Sequence, residues 1–148
     1  MRARDLAEAY PIVTLDTPAV EAARRLAAER LTALVVVDEK RRPAFVLPAT
    51  QVLRLGVPSY FRDDPALARV IDEAHADVFL RELGDRTMAD ILHKKPDELP
   101  VVDEDATTLE VAALMVRARC PVVVVTDRSG KMVGAITLQK LLDRVLAR

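Results

Sequence analysis

The sequence of 148 residues is 51% hydrophobic but only 3% aromatic, and it contains no tryptophan. A core of Val, Leu, Ile and Ala is typical of the thin layers of α/β proteins. The 22 basic and 23 acidic residues are interspersed and leave a net charge of -1. The composition therefore argues against an extended cationic surface for nucleic acid or anionic lipid.

The sequence lacks the usual features of an exported or membrane protein. Its one cysteine, Cys120, cannot form an intramolecular disulfide, and its charged N-terminal segment is unlike a signal sequence. The longest apolar runs, 33–37 and 122–125, are far shorter than the roughly 20 residues that cross a bilayer. We therefore expect a cytoplasmic protein without membrane insertion.

The first predicted unit begins with a short strand at 11–15. Thr17 as N-cap and Pro18 at the first helical position are typical of a helix start. The helix that follows is expected to bury one apolar stripe, whose members recur at helical spacing: Val20, Ala23, Ala27 and Leu31. The apolar run 33–37 predicts a strand that is buried on both faces. A polar turn, a strand at 44–47 and a helix through Val52 and Leu53 complete the unit.

A second amphipathic helix is predicted between two similar halves of the sequence. Asp63, Asp64 and Pro65 open it, and Gly84 ends it. Its apolar residues follow the helical period: Leu67, Val70, Ile71, Ala74 and Val78. We expect it to be a structured linker that packs on the rest of the protein or on a partner.

The last third of the sequence repeats the first. Shifting the sequence by 89 positions superposes 11–53 on 100–142, and ten of these 43 positions are identical. Upstream, residues 3–6 resemble residues 88–91 at an offset of 85. The repeat predicts a β-α-β-β-α unit used twice, with residues 1–56 as the first copy, 57–86 as the connecting helical segment and 87–148 as the second copy.

The second copy has the same predicted elements as the first. A strand at 100–102 precedes a helix that Thr107 and Glu110 are placed to cap. The apolar stripe expected to be buried consists of Leu109, Ala112, Val116 and Cys120. Strands at 122–125 and 132–136 follow, and a closing helix contains Leu141, Leu142 and Val145.

The strand-to-helix junction of the second copy resembles that of CBS domains. The family's pattern there is glycine, two apolar residues, Thr or Ser, two variable positions, Asp and an apolar residue, and Gly134 to Leu141 follow it except at the Asp. The segment 121–127, followed by a glycine turn, is similar to the family's central strand and hairpin. The resemblance extends over nearly the whole chain and identifies it as a tandem CBS pair, or Bateman module.

The resemblance implies a fold and a class of function. The fold would be α/β (α+β), with two β-α-β-β-α repeats related by a pseudo-twofold axis and joined by a connecting helix. The two clefts between such repeats bind adenosine nucleotides or related ligands in many members. Such pairs commonly dimerise into a flat disc and regulate an enzyme, channel or transporter. We therefore expect a homodimer that acts on a separate enzyme or transporter, which the sequence does not identify.

This sequence departs from the family's ribose-binding pattern in both copies. The family's carboxylate position holds Lys140 in the second copy and Gln51 in the first. The family's hydroxyl is retained as Thr137, but the first copy has Pro48 there. Lysine has three donors and no acceptor, so it can contact a phosphate but cannot replace a carboxylate, whereas glutamine keeps one acceptor. We expect no resident cofactor, and an adenine nucleotide would bind weakly.

The candidate ligand-binding residues are therefore Thr137, Lys140 and Gln51. Each also has a purely structural interpretation. Thr137 could cap the last helix, and Lys140 and Gln51 could be solvated surface residues. If a ligand binds, we expect it in the cleft lined by Thr137 and Lys140, because Pro48 supplies neither a hydroxyl nor an N–H.

Other chemistry has little support in the sequence. The two histidines, His75 and His93, form no Cys/His cluster of the kind that binds a metal. Cys120 lies where a helical stripe meets a strand, a position typical of a small buried hydrophobe. The four glycines form no phosphate-binding loop. We therefore expect no catalytic residues, no metal site and no enzymatic activity.

Two functional hypotheses remain open at the level of sequence. In the first, the protein senses a small ligand, and the retained Thr137 favours this. In the second, it is a dimeric adaptor without a ligand, and the loss of both carboxylates favours that.

Overall fold

The computed structural model describes residues 1–56, 66, 78–92 and 98–147. The first repeat consists of three strands and two helices: β1 (Ile12–Thr14), α2 (Ala19–Ala28), β2 (Ala33–Val37), β3 (Pro43–Pro48) and α3 (Ala49–Gly56). A short helix, α1 (Ala3–Leu6), precedes them. The second repeat has the same elements: β4 (Val101–Asp103), α6 (Thr108–Ala118), β5 (Val122–Thr126), β6 (Met132–Thr137) and α7 (Leu138–Leu146). Two helices come before it, α4 (Val78–Leu83) and α5 (Met88–Ile91).

The two repeats have the same sheet topology. In each, the first strand is parallel to the second, and the second is antiparallel to the third, which gives the orders β1-β2-β3 and β4-β5-β6. The predicted α/β (α+β) fold with two β-α-β-β-α repeats is therefore confirmed. The offset of 89 holds for every strand, since the bounds of β4, β5 and β6 are those of β1, β2 and β3 shifted by that number.

The central strands β2 and β5 are buried on both faces, as predicted from their uninterrupted apolar runs. Alternate residues of a strand point to opposite faces of its sheet. Val35 and Val37 accordingly join a central cluster with Val122 and Val124 of the other repeat. Val36 faces the opposite way, into the cluster beneath the helices of its own repeat. The two sheets thus pack against each other at the centre, with helices outside.

The short helices α1 and α5 are exchanged between the repeats. Ala3 and Leu6 of α1 are fully buried in the core of the second repeat, and Met88 of α5 is buried in the core of the first. The backbone contacts are equivalent: Ala3 N–H donates to Ala106 O at 2.8 Å, and Met88 N–H donates to Thr17 O at 2.9 Å. The two repeats are therefore held together by reciprocal contacts as well as by the shared central cluster.

The segment after α1 runs along β6 and fixes the residue type at one position. Glu8 and Ala135 exchange two backbone hydrogen bonds of 2.9 Å. A Cβ atom at the neighbouring Gly134 would lie only 2.8 Å from the carbonyl oxygen of Glu8. The glycine of the family's junction pattern is required here because another backbone passes so close.

The buried stripe predicted for the second repeat's helix is wrong. Leu109 and Val116 are 78% and 77% exposed, and the buried residues of α6 are Val111, Leu114 and Met115. This helix is apolar on more than one side, so helical spacing alone could not decide which stripe faces the core. Only Cys120 of the predicted stripe is buried.

The N-caps of the two equivalent helices also differ. Thr107 caps α6 as predicted, because its hydroxyl accepts a hydrogen bond from Glu110 N–H at 3.2 Å. The predicted cap at Thr17 is wrong: α2 is preceded by Pro18, which makes no side-chain cap bond. The Thr17 hydroxyl instead accepts a hydrogen bond from Thr14 N–H at 3.0 Å and stabilises the turn.

Apart from Ala66, the connecting helix is described only at its end. Helix α4 contains Val78, and Gly84 follows it with φ of +53°, the left-handed conformation that ends many helices, as predicted. Leu83 is buried in the core of the first repeat. The predicted start at 63–65 and the apolar positions from Leu67 to Ala74 lie outside the described residues.

Among the residues that the structure describes, no helix is both long and apolar enough to cross a membrane.

Candidate ligand cleft between the two repeats

A cleft of about 410 Å³ lies between the two repeats. The first repeat contributes residues before β1 and before β2, and the second contributes residues around the start of β5 and the start of α7. The lining residues are Tyr10, Arg30, Leu31 and Thr32 on one side and Pro121, Thr137, Leu138, Gln139 and Leu142 on the other. Most of the exposed lining surface is apolar. The cleft can therefore accommodate a compound with an apolar or planar body and a few polar groups.

Thr137 is half-buried in this cleft and caps a helix. It is the last residue of β6 and the N-cap of α7, and its hydroxyl oxygen accepts a hydrogen bond from Lys140 N–H at 3.1 Å. The hydroxyl proton has no partner in this contact and remains available as a donor. The structural and the ligand-binding roles of Thr137 are thus compatible.

The side chain of Lys140 points away from the other residues of the cleft. Its ammonium lies 3.0 Å from Oε1 of Glu8, and it lines a separate depression of about 150 Å³ with Asp143 and Arg144. The structure therefore brings Thr137 and Lys140 together through a backbone hydrogen bond but places their side chains at different surfaces of the protein.

Gln51 lies in the other repeat, on the exposed surface of α3. It lines neither the cleft at Thr137 nor the depression beside Lys140. A second large cleft, of about 440 Å³, lies nearby between α2 and α3 and is lined mainly by Ala23, Leu26, Val52 and Leu53. This cleft shares Arg30 and Leu31 with the cleft at Thr137, so the two are neighbours.

Two further polar residues of the cleft were missed by sequence reasoning. The Tyr10 hydroxyl donates a hydrogen bond of 2.6 Å to Ala33 O, and desolvation by burial raises the pKa of this tyrosine. Arg30 is identical to Arg119 at the offset of 89. The repeat alignment carries a signal only for Tyr10, because it pairs this residue with Leu99 and so shows a difference between the two copies.

The other candidate groups are structural where they are described. Cys120 is buried, as predicted, and desolvation raises the pKa of its thiol. His75 and His93 lie outside the described residues. Within the described ranges, no three His, Cys, Asp or Glu side chains are grouped closely enough to hold a metal ion.

Comparison with known proteins places the chain in a family. The CBS domain model matches residues 88–147. A CBS domain-containing protein of unknown function from Kribbella flavida has 50% sequence identity and a TM-score of 0.82, with 99% of each chain covered. The chain therefore belongs to the CBS domain-containing proteins, and its two repeats form a CBS pair. No curated protein matches it.

More distant structures share the fold. The CBS-pair protein CBSX2 from Arabidopsis thaliana has 18% identity and a TM-score of 0.72, with 98% of this chain and 94% of that chain covered. CBSX2 in complex with AMP has 17% identity and a TM-score of 0.68, with 98% and 96% covered. At this identity the likeness shows the CBS-pair fold alone.

Proposed function

We propose that this CBS pair is a regulatory module that senses a small ligand in the cleft at Thr137 and acts on a separate protein. The observation that carries the proposal is that both repeats line the cleft. A ligand bound there would contact both at once and favour one arrangement of the repeats over another. We also propose that the module catalyses no reaction, holds no resident cofactor and is located in the cytoplasm.

The proposed ligand is an adenine nucleotide or another anion. The complex of CBSX2 with AMP supports this class, because that protein has the same fold. The hydroxyl of Thr137 would donate a hydrogen bond to the ligand. Lys140 and Gln51, the other two proposed ligand-binding residues, lie outside this cleft. Lys140 would contact an anion at the depression beside Glu8, and Gln51 would offer a neutral contact at the exposed surface of α3.

We expect such a nucleotide to bind weakly. The carboxylate that would accept hydrogen bonds from a ribose is replaced by Lys140 in one repeat and Gln51 in the other. Each lost charge-assisted hydrogen bond costs about 1.5 to 3 kcal/mol, which is more than tenfold in affinity.

The alternative is a dimeric adaptor without a ligand. Apolar side chains on α6 and α7 are exposed, with Leu109 at 78%, Val116 at 77% and Leu146 at 72%. Exposed apolar surface of this kind marks an interface. A homodimer fits both functions, because it would cover these helices whether or not a ligand binds.

Thermal unfolding in the presence of AMP, ATP, S-adenosylmethionine and simple anions tests the sensor. A compound that binds only the folded state must raise the melting temperature. We expect at least one to do so. For AMP, we expect calorimetry to give a dissociation constant above about 1 µM. If none raises the melting temperature, while sedimentation shows a dimer, the adaptor is the correct function.

The proposed dimer has its own test and control. Val116→Asp places a charge on the exposed face of α6 and should produce a monomer in sedimentation. Val133→Asp places the same charge on β6, where Val133 is 49% exposed, and should leave the dimer intact. A wild-type protein that sediments as a monomer would rule the dimer out.

A further inference from the structure

We infer that Arg30 gives the cleft at Thr137 a preference for ligands that carry an anionic group, such as a phosphate or carboxylate, on an apolar or planar body. The inference rests on the proposed function and adds a specificity-determining residue to it. The positive charge comes from the first repeat, although the helix that begins at the cleft belongs to the second.

The end of α2 fixes where Arg30 lies. Its backbone has φ of +53°, which reverses the chain directly after the helix. Arg30 N–H donates to Ala27 O at 3.2 Å, and Leu31 N–H donates to Leu26 O at 2.9 Å, as in a helix C-terminal motif. The chain then enters β2, whose buried strand anchors the next residues. Arg30 is thereby held at the boundary that the two large clefts share.

The charge of Arg30 is not neutralised by a neighbour. In the described part of the chain its side chain makes no ion pair and no hydrogen bond. Two other cations, by contrast, have acidic partners: Arg25 pairs with Glu29, and Lys140 pairs with Glu8. None of the residues that line the cleft is acidic. An anion entering the cleft therefore encounters Arg30 as an unpaired cation.

The lining of the cleft indicates the chemistry of the uncharged part of the ligand. Leu31, Pro121, Leu138 and Leu142 provide apolar surface, and the hydroxyls of Thr32 and Thr137 are polar without being charged. A guanidinium offers a planar fork of donors that matches two oxygens of a phosphate or carboxylate. The predicted ligand thus has an apolar or aromatic body with its anionic group directed at Arg30.

The repeat provides a matched control. Arg119 is the same residue type at the equivalent position, with φ of +52°, and it lines none of the clefts described here. AMP and adenosine form a matched pair of probes, because they differ only in the phosphate. Calorimetry should be carried out with both probes on the wild type, Arg30→Gln, Arg30→Gly and Arg119→Gln.

We expect wild-type protein to bind AMP more tightly than adenosine. Arg30→Gln should weaken the affinity for AMP roughly tenfold or more and leave the affinity for adenosine unchanged, since only the charge-assisted contact is lost. Arg30→Gly, which suits the left-handed backbone and so should fold, must show the same loss. Arg119→Gln should bind both probes like the wild type.

Two outcomes would overturn the inference, and they are distinguishable. If neither probe binds the wild type, ligand sensing by this class of compound fails and the inference fails with it. If the wild type prefers AMP and both Arg30 variants keep that preference, only the role of Arg30 is wrong. Loss of the preference in Lys140→Ala would then assign the anion to the site beside Glu8.

Discussion

At the junction between its last strand and last helix, the second repeat has Thr137 where the first has Pro48. Thr137 caps α7 and lines the cleft, whereas Pro48 supplies neither a hydroxyl nor an N–H. The other side of the same cleft is also unequal, because Tyr10 corresponds to Leu99. The scaffold is therefore nearly symmetric while the positions that face a ligand are not. The two repeats are thus alike in their buried strands and differ at Thr137 and Tyr10 of the cleft.

The exchanged helices show the same contrast, and they give the largest expected effect. Leu6 of α1 is fully buried, while its counterpart Ile91 of α5 is only partly buried. Leu6→Ala should therefore lower the free energy of unfolding by about 2 to 5 kcal/mol, and Ile91→Ala should lower it by less. Denaturant unfolding of both variants measures the difference. Equal losses would show that the two repeats depend equally on the helix they receive.

The junction itself gives a smaller effect. Thr137→Ala removes the hydroxyl that accepts from Lys140 N–H and should cost about 1 kcal/mol in the free energy of unfolding. Thr137→Ser should retain most of that stability. Pro48→Ala has no cap to lose and should change it by less than about 0.5 kcal/mol. A Thr137→Ala protein as stable as Pro48→Ala would mean that the cap contributes nothing.

The hairpin turns give the smallest effect and one that depends on pH. In the second repeat, hydrogen bonds from the Ser129 hydroxyl and from backbone N–H groups lower the pKa of Asp127. In the first, backbone N–H groups of Arg42 and Lys40 lower the pKa of Asp38. Both carboxylates are exposed, so we expect each contribution to be small.

The direction of the pH dependence follows from the lowered pKa values. Each carboxylate stabilises the fold fully at pH values above its ordinary pKa of 3.8, and this stability is lost as the pH falls through the lower folded value. Asp127→Asn should be less stable than wild type at pH 7, and its stability should fall less between pH 5 and pH 3. Ser129→Ala should reproduce part of this change. An acid dependence identical to wild type in both variants would contradict it.

Much of the fold could be predicted because the repeat fixes it. The offset of 89 relates all the described strands of the two repeats, and the runs 33–37 and 122–125 correctly predicted buried strands. The offset of 85 paired residues 3–6 with 88–91 but did not predict that both are helices. The burial of α6 could not be predicted, because a helix with apolar residues on several sides has no single preferred face in sequence. The environment of Lys140 could not be predicted either, because its partner Glu8 lies far away in the sequence, in the segment after α1 that runs along β6.

The exchange of α1 also determines when this helix can fold. Ala3 is hydrogen-bonded to Ala106, and Leu6 is packed against a core that includes Ile136. A helix of four residues is not stable alone, so α1 forms only when that core exists. At synthesis rates of roughly 5 to 20 residues per second, α1 waits on the order of ten seconds for its binding surface to be made. This helix is thus made well before the surface on which it packs, and it reaches its native position only after the second repeat has formed.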